Sequence, residues 1–160
     1  MKKNLFLFIS LLFLTCFSCQ EKIDVEKEKA AIIEVLNDEG TTFAANDLAG
    51  VFVLHVQDEQ ATRLDGYRIY KGWDEIKSLY ESYVAGNMQD TAWKNPRNIK
   101  ENVILKVTGN TAWLICDNTW KYEFNNSPVE WGNVQIAFFE KIDGQWKFSF
   151  NAFVPARPKE

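Results

Sequence analysis

Few side chains in this sequence could do chemistry. The single histidine, His55, falls on the apolar side of a helical run, Leu48–Val56, together with Leu48, Val51 and Phe52. Asp58 and Asp65 follow it in the chain. A His–Asp pair can move a proton, so His55 with Asp65 is a candidate acid–base unit. The alternative for His55 is a packed imidazole with one satisfied nitrogen, and for Asp65 a turn residue ahead of Gly66. Cys116 is the one thiol beyond residue 19 and has no basic neighbour in the chain, so it reads as buried and inert rather than nucleophilic. No His/Cys cluster with ligand spacing and no glycine-rich phosphate cradle is present, so neither a metal nor a cofactor is expected.

A second set of candidates consists of polar residues standing where apolar ones are expected. In Thr111–Glu123 one face reads Ala112, Leu114, Cys116, Asn118, Trp120 and Tyr122. Asn118 interrupts it, and a polar group there must find a partner or a ligand. Gln135 and Asn151 are similar interruptions on the next two strands. They would orient a ligand or bond across the strands. Trp113, Trp120 and Trp131, three of six tryptophans, either wall a pocket for a flat apolar molecule or fill a core.

The elements that must position these residues are legible in the periodicity. Thr111–Glu123, Glu130–Lys141 and Gln145–Val154 alternate as half-buried strands, the second with Val134, Ile136 and Phe138 on one face and the third with Trp146, Phe148, Phe150, Ala152 and Val154 on one side. Asn102–Val107 is a shorter strand before them. Asp143-Gly144 and Gly109-Asn110 are hairpin turns, and Asn125–Pro128 is a longer loop. At about 3.3 Å per residue the longest strands would reach roughly 40 Å, so the antiparallel meander should coil or bend, with Gly132 a candidate bend point. A helix runs to about Ala45 with Ile32, Val35, Leu36 and Phe43 on its buried side. Gly40 weakens it by about 1 kcal/mol relative to alanine, or admits a close neighbour. Short strands at Ala61–Leu64 and Tyr67–Tyr70 precede a third helix, Trp73–Val84, with Ile76, Leu79, Tyr80 and Tyr83 buried. Asn87–Lys100 reads as a loop broken at Asn95-Pro96.

Residues 1–18 read as a signal peptide. Lys2-Lys3 precedes an apolar run, Leu5–Phe17, too short to span a bilayer, which takes about 20 residues. Ser18-Cys19 resembles the lipobox of bacterial lipoproteins, which implies lipidation, with Cys19 after Ser18 a better fit than the alternative Cys16 after Thr15, and a membrane-anchored place in the cell envelope. Residues 19–27 form a tether, 28–156 one domain and 157–160 a tail. With the leader removed, 16 basic and 22 acidic side chains leave a formal charge of −6. There is no basic stripe, so nucleic acid is not an expected partner.

The order of two helices, a short strand region, a helix and four strands resembles the nuclear transport factor 2-like superfamily, and its SnoaL-like branch especially. The matching pieces are Ala45-Asn46-Asp47-Leu48-Ala49, Gly72-Trp73-Asp74-Glu75-Ile76, Val107-Thr108-Gly109-Asn110-Thr111-Ala112 and Lys141-Ile142-Asp143-Gly144-Gln145-Trp146-Lys147, spread from about Lys27 to Pro155. The resemblance implies an α+β cone: a strongly bent antiparallel sheet wrapped on three N-terminal helices, with a pocket at its wide end. A steroid-isomerase-like member would have its base at Asp65. Its oxyanion donors would fall at Glu39 and Ala137, which cannot serve, and that argues against this reaction. Three functions are therefore expected in turn: binding of a small, mostly apolar molecule; a metal-free isomerase, dehydratase or cyclase using Asp65 with or without His55; or a non-catalytic module that forms a homodimer through its sheet.

Overall fold

The computed structural model describes residues 24–88 and 93–155. The expected leader, its lipidation site Cys19, most of the tether and the whole tail, 157–160, lie outside them. Helix α1 spans Val25–Ala44 and starts where Asp24 accepts from the Lys27 amide at 3.2 Å. Its buried side places Ile32, Leu36, Glu39 and Gly40 at helical spacing. Asn46 reverses the chain with φ of 58°, and Asp47 caps α2, Leu48–Val53. Strands β1 (Thr62–Asp65) and β2 (Arg68–Lys71) form a small hairpin ahead of α3, Trp73–Tyr83, which continues into a wider turn at Val84–Met88. Four long strands follow: β3 (Trp93–Thr108), β4 (Thr111–Phe124), β5 (Ser127–Ile142) and β6 (Gln145–Pro155).

The sheet runs β2-β1-β6-β5-β4-β3 and does not close. The meander β3 to β6 is antiparallel as expected, while β1 joins β6 in parallel, so the sheet is mixed. Asp143 and Gly144, with φ of 51° and 80°, make the expected tight turn. The β4–β5 connection is tighter than expected: Asn125 and Asn126 both take positive φ, and Ser127 already pairs with Phe124.

The segment expected as a loop, Asn87–Lys100, belongs mostly to β3. Asn95-Pro96 sits in a register shift between Lys94 and Arg97. A proline is tolerated there because β3 is an edge strand and the irregularity leaves no ladder bond to lose. A second shift lies between Glu101 and Ile104, and a third in β6, where Phe139 faces Phe148 but Phe138 faces Phe150. Pairing at Gly132 is unbroken, so the register irregularities fall elsewhere. Each extra residue reverses which side chains point inward. In β6 it sends Trp146 and Phe148 inward, then Asn151, with Phe150 turned out against Phe138. The single-sided reading of Trp146 to Val154 is corrected accordingly.

The inner sheet face and α1 together form successive layers. The first is apolar: Ile32 and Leu36 pack on Leu114, Ala137, Phe139, Trp146 and Phe148. The second is polar: Glu39 bonds Gln135 and Asn151, and Lys100 joins Gln135 to Asn118, with Glu39 and the three amides buried. The third is aromatic, with Phe43 on Trp120 and Trp120 paired to Trp131. At the far end Glu28 accepts from Lys141 and from the Trp146 indole at 2.7 Å each, locking α1 to the last hairpin.

Candidate functional site

The aromatic layer opens into a cavity of about 550 Å³. Phe43, Trp120, Tyr122, Phe124 and Trp131 form its upper walls, and Phe153, Arg63, Lys100, Asn98, Glu39 and Tyr80 its lower part. Gly40 also lines it, and a Cβ there would lie 2.5 Å from Asn98 Oδ1. The helix glycine admits a close neighbour, as one of its two readings has it.

Glu39 is the centre of the floor. Its Oε1 accepts from Asn151 Nδ2 at 2.8 Å and from the Tyr80 hydroxyl at 3.1 Å, and its Oε2 from Gln135 Nε2 at 3.1 Å. Arg63 and Lys100 approach it only to 3.7 and 3.9 Å. Burial pushes the Glu39 carboxyl up, yet the Lys100 and Arg63 charges hold it below the ordinary carboxylate range. Lys100 donates to Asn118 Oδ1 at 2.9 Å and to Gln135 Oε1. Its burial pulls the ammonium down, against the Glu39 charge. Asn118 also accepts from Asn98 at 2.6 Å and donates to Asn133 at 2.8 Å.

Arg63 donates to the Tyr80 hydroxyl at 2.5 Å and lies between the Tyr80 and Phe153 rings, 4.6 Å from each centroid. Its other end reaches Asp65 at 3.5 Å. Asp65 lines the cavity, 24% of its side chain exposed, and accepts from the Tyr83 hydroxyl. Burial and that bond push the Tyr83 phenol up.

His55 takes its place behind this floor. Its Nε2 lies 3.0 Å from the Tyr80 hydroxyl, and its ring stacks on Phe148 at 5.1 Å. Burial pushes the imidazole down to about 4, although the Glu39 charge favours its protonation, so it is neutral at pH 7. With Tyr80 donating to Glu39, the neutral ring donates through Nε2. Asp58 caps its own turn by accepting from the Gln60 and Ala61 amides at 2.8 and 3.0 Å. Among the described residues, hydrogen bonds link His55 to Asp65 through Tyr80 and Arg63.

The other expected site residues divide in the same way. Trp120 and Trp131 line the cavity. Asn118, Gln135 and Asn151 lie beneath it, bonded to the groups that line it. Trp113 does not take part: it pairs with Phe138 and shares the outer face with Ile115, opposite Leu114 and Asn118. The expectation that it walls the pocket is corrected, since odd-numbered residues of β4 point outward. Burial pushes the Cys116 thiol up to about 11, in keeping with an inert role.

Glu39, Arg63, Tyr80, Tyr83, Asn98 and Lys100 were not among the expected site residues. Glu39 carried a usable signal: it continues the stripe of Ile32, Leu36 and Phe43, where a carboxylate does not belong without partners. Lys100 carried none, since its strand read as a loop.

No family model and no curated protein matches the sequence. Solved structures do. A candidate dehydratase of the NTF2-like family from Streptomyces avermitilis superposes with a TM-score of 0.70 at 14% identity, over 82% of this chain and 98% of that one. A candidate scytalone dehydratase from Novosphingobium aromaticivorans gives 0.68 at 17% identity, over 81% and 85%. An NTF2-like superfamily protein from Salmonella enterica serovar Typhimurium gives 0.68 at 15% identity, over 84% and 95%. At such identities the likeness is one of fold alone. By its architecture this chain has the cone fold of the nuclear transport factor 2-like proteins.

Proposed function

We propose that the chain binds a small, mostly apolar molecule in its cone cavity. The observation that supports this is the sequence of chemistries along the cavity: aromatic walls around about 550 Å³, closed below by buried polar groups. That volume suits a drug-sized ligand, and the mixture of apolar walls with a few convergent polar groups is usual for such sites. Titration with the neutral probe N-phenyl-1-naphthylamine tests it. The expected result is saturable binding at one site, weakened in Trp120→Ala; fluorescence that never saturates would refute it.

The SnoaL-like branch and the exported, lipid-anchored location belong to the same proposal, on the motifs and the Ser18-Cys19 signal described above. Cys19→Ser should then release the protein from the membrane fraction; unchanged membrane retention would count against the anchor.

Candidate dehydratases among the similar folds make an enzyme using Asp65 the second reading. Binding is preferred because Asp65 Oδ2 already accepts from Tyr83 and Arg63, and His55 is not within the cavity. The variant Asp65→Asn should keep probe binding; loss of a measured turnover in that variant would favour catalysis.

Pairing of two copies through the sheet has its own support. On the outer face Ile104, Phe138, Ile115 and Val154 are exposed, the first two by 61% and 48%. A two-fold copy would return these rows to each other. Light scattering at high concentration decides it, a monomer removing the proposal.

A further inference from the structure

The two cations of the floor have more donors than acceptors. Glu39 does not take them up by hydrogen bonds, for its three bonds come from the neutral donors Tyr80, Asn151 and Gln135. Arg63 and Lys100 stand 3.7 and 3.9 Å from it, beyond hydrogen-bonding distance. Asp65 holds Arg63 only at 3.5 Å and is already bonded to Tyr83. Arg63 is 6% exposed and lines the cavity, and its buried Nε has no acceptor among the described residues. Leaving a buried charged donor unpaired is costly. The two cations also flank one ring, Arg63 at 4.6 Å and Lys100 at 5.9 Å from the Phe153 centroid.

From these contacts we infer that the ligand is an amphipathic carboxylate, its head at Arg63 and Lys100 and its apolar body between Trp120 and Trp131. The inference rests on the cavity being a ligand site. A carboxylate supplies acceptors for the N–H groups that remain once Lys100 has bonded Asn118 and Gln135 and Arg63 has bonded Tyr80 and Asp65, and a planar guanidinium can bind it through two N–H groups. The lining carries two carboxylates against two cations. Glu39 and the engaged Asp65 oxygen are already occupied, so the unmet demand is for acceptors. Asn98 Oδ1 is the converse case, a buried acceptor without a donor among the described residues. It gives a primary amide its best opportunity, which makes the amide the sharpest competitor.

The test measures displacement of N-phenyl-1-naphthylamine from the full chain by three molecules of one shape: naphthalene-2-carboxylate, naphthalene-2-carboxamide and 2-naphthylmethylammonium. The carboxylate should bind roughly tenfold or more tighter than the amide, with the ammonium weakest. Lys100→Gln should shrink the preference for the carboxylate over the amide. Arg63→Lys, which keeps the charge but removes the planar fork, should shrink it as well. The wild-type comparison stands even if neither variant folds. Equal binding of carboxylate and amide, or preference for the ammonium, would overturn the carboxylate head while leaving the cavity a ligand site. A probe that does not bind at all would overturn the ligand site itself.

Discussion

Along one inner sheet face, two buried layers of opposite chemistry lie side by side. At the level of Ile32 and Leu36, α1 meets Leu114, Ala137, Phe139 and Phe148, a core that any such fold requires. At Glu39 and Gly40 the same helix meets Asn98, Gln135, Asn151, Arg63 and Lys100. Register irregularities mark the boundary on both flanks, between Glu101 and Ile104 on β3 and between Phe148 and Phe150 on β6. Without them these strands could not present Leu105 and Phe148 to the core and also Lys100 and Asn151 to the floor. Hydrophobic residues of similar volume often stabilise as well as a buried ion cluster does. The polar layer is therefore best explained by what it can hold, and the apolar layer by what it stabilises.

The largest effects should come from breaking each layer once. Phe139→Ala should cost about 3–5 kcal/mol by leaving a cavity. Glu39→Ala should cost about 3–5 kcal/mol for a different reason, since it strands Lys100 without its counter-charge and leaves Arg63 with Asp65 alone. Urea unfolding measures both. Exchanging Glu39, Arg63 and Lys100 together for methionine should recover most of the second loss and none of the first; no recovery would mean that the polar layer is itself structural.

An effect of intermediate size belongs to His55, the chain's single histidine. Unfolded, the imidazole takes up a proton near its ordinary 6.5; folded, it does so only at about 4. Acid therefore favours the unfolded chain. Stability present above 6.5 should fall by about 2 kcal/mol between pH 7 and pH 5, and the fall continues until pH passes about 4. His55→Gln should flatten the slope between pH 7 and 5; an unchanged slope would place its origin elsewhere.

The smallest stability effect is expected at the mouth. Trp131 is 52% exposed, so Trp131→Ala should change unfolding free energy by no more than about 0.5 kcal/mol. Probe affinity should nevertheless drop roughly tenfold. Equal losses in both measurements would make Trp131 a packing residue.

The apolar layer was largely legible in the sequence, because Leu114, Ala112 and Cys116 on β4 and Ile32 and Leu36 on α1 keep strict periods. The polar layer was legible only in part. Asn118, Gln135 and Asn151 stood out as interruptions, but Glu39, the shared partner of Gln135 and Asn151, was considered only as an unsuitable replacement for a tyrosine. Lys100 and Asn98 were hidden by Asn95-Pro96, which resembles a loop breaker when edge position and bulge are not known. Tyr80 read as one more member of an apolar stripe, since a phenol's partners come from elements distant in the chain. Periodicity reports which residues share a face between bulges, and the site lies where the bulges change the face.

The central claim is that the inner polar floor and its aromatic walls, rather than the outer sheet face, receive a ligand. Amide shift mapping by NMR during titration with N-phenyl-1-naphthylamine tests it most directly. The account predicts shifts at Glu39–Phe43, Arg63, Asn98, Lys100 and the Trp120 and Trp131 indoles, with Ile115, Phe138 and Phe150 unmoved. Shifts confined to those outer residues, or none along α1, would contradict it.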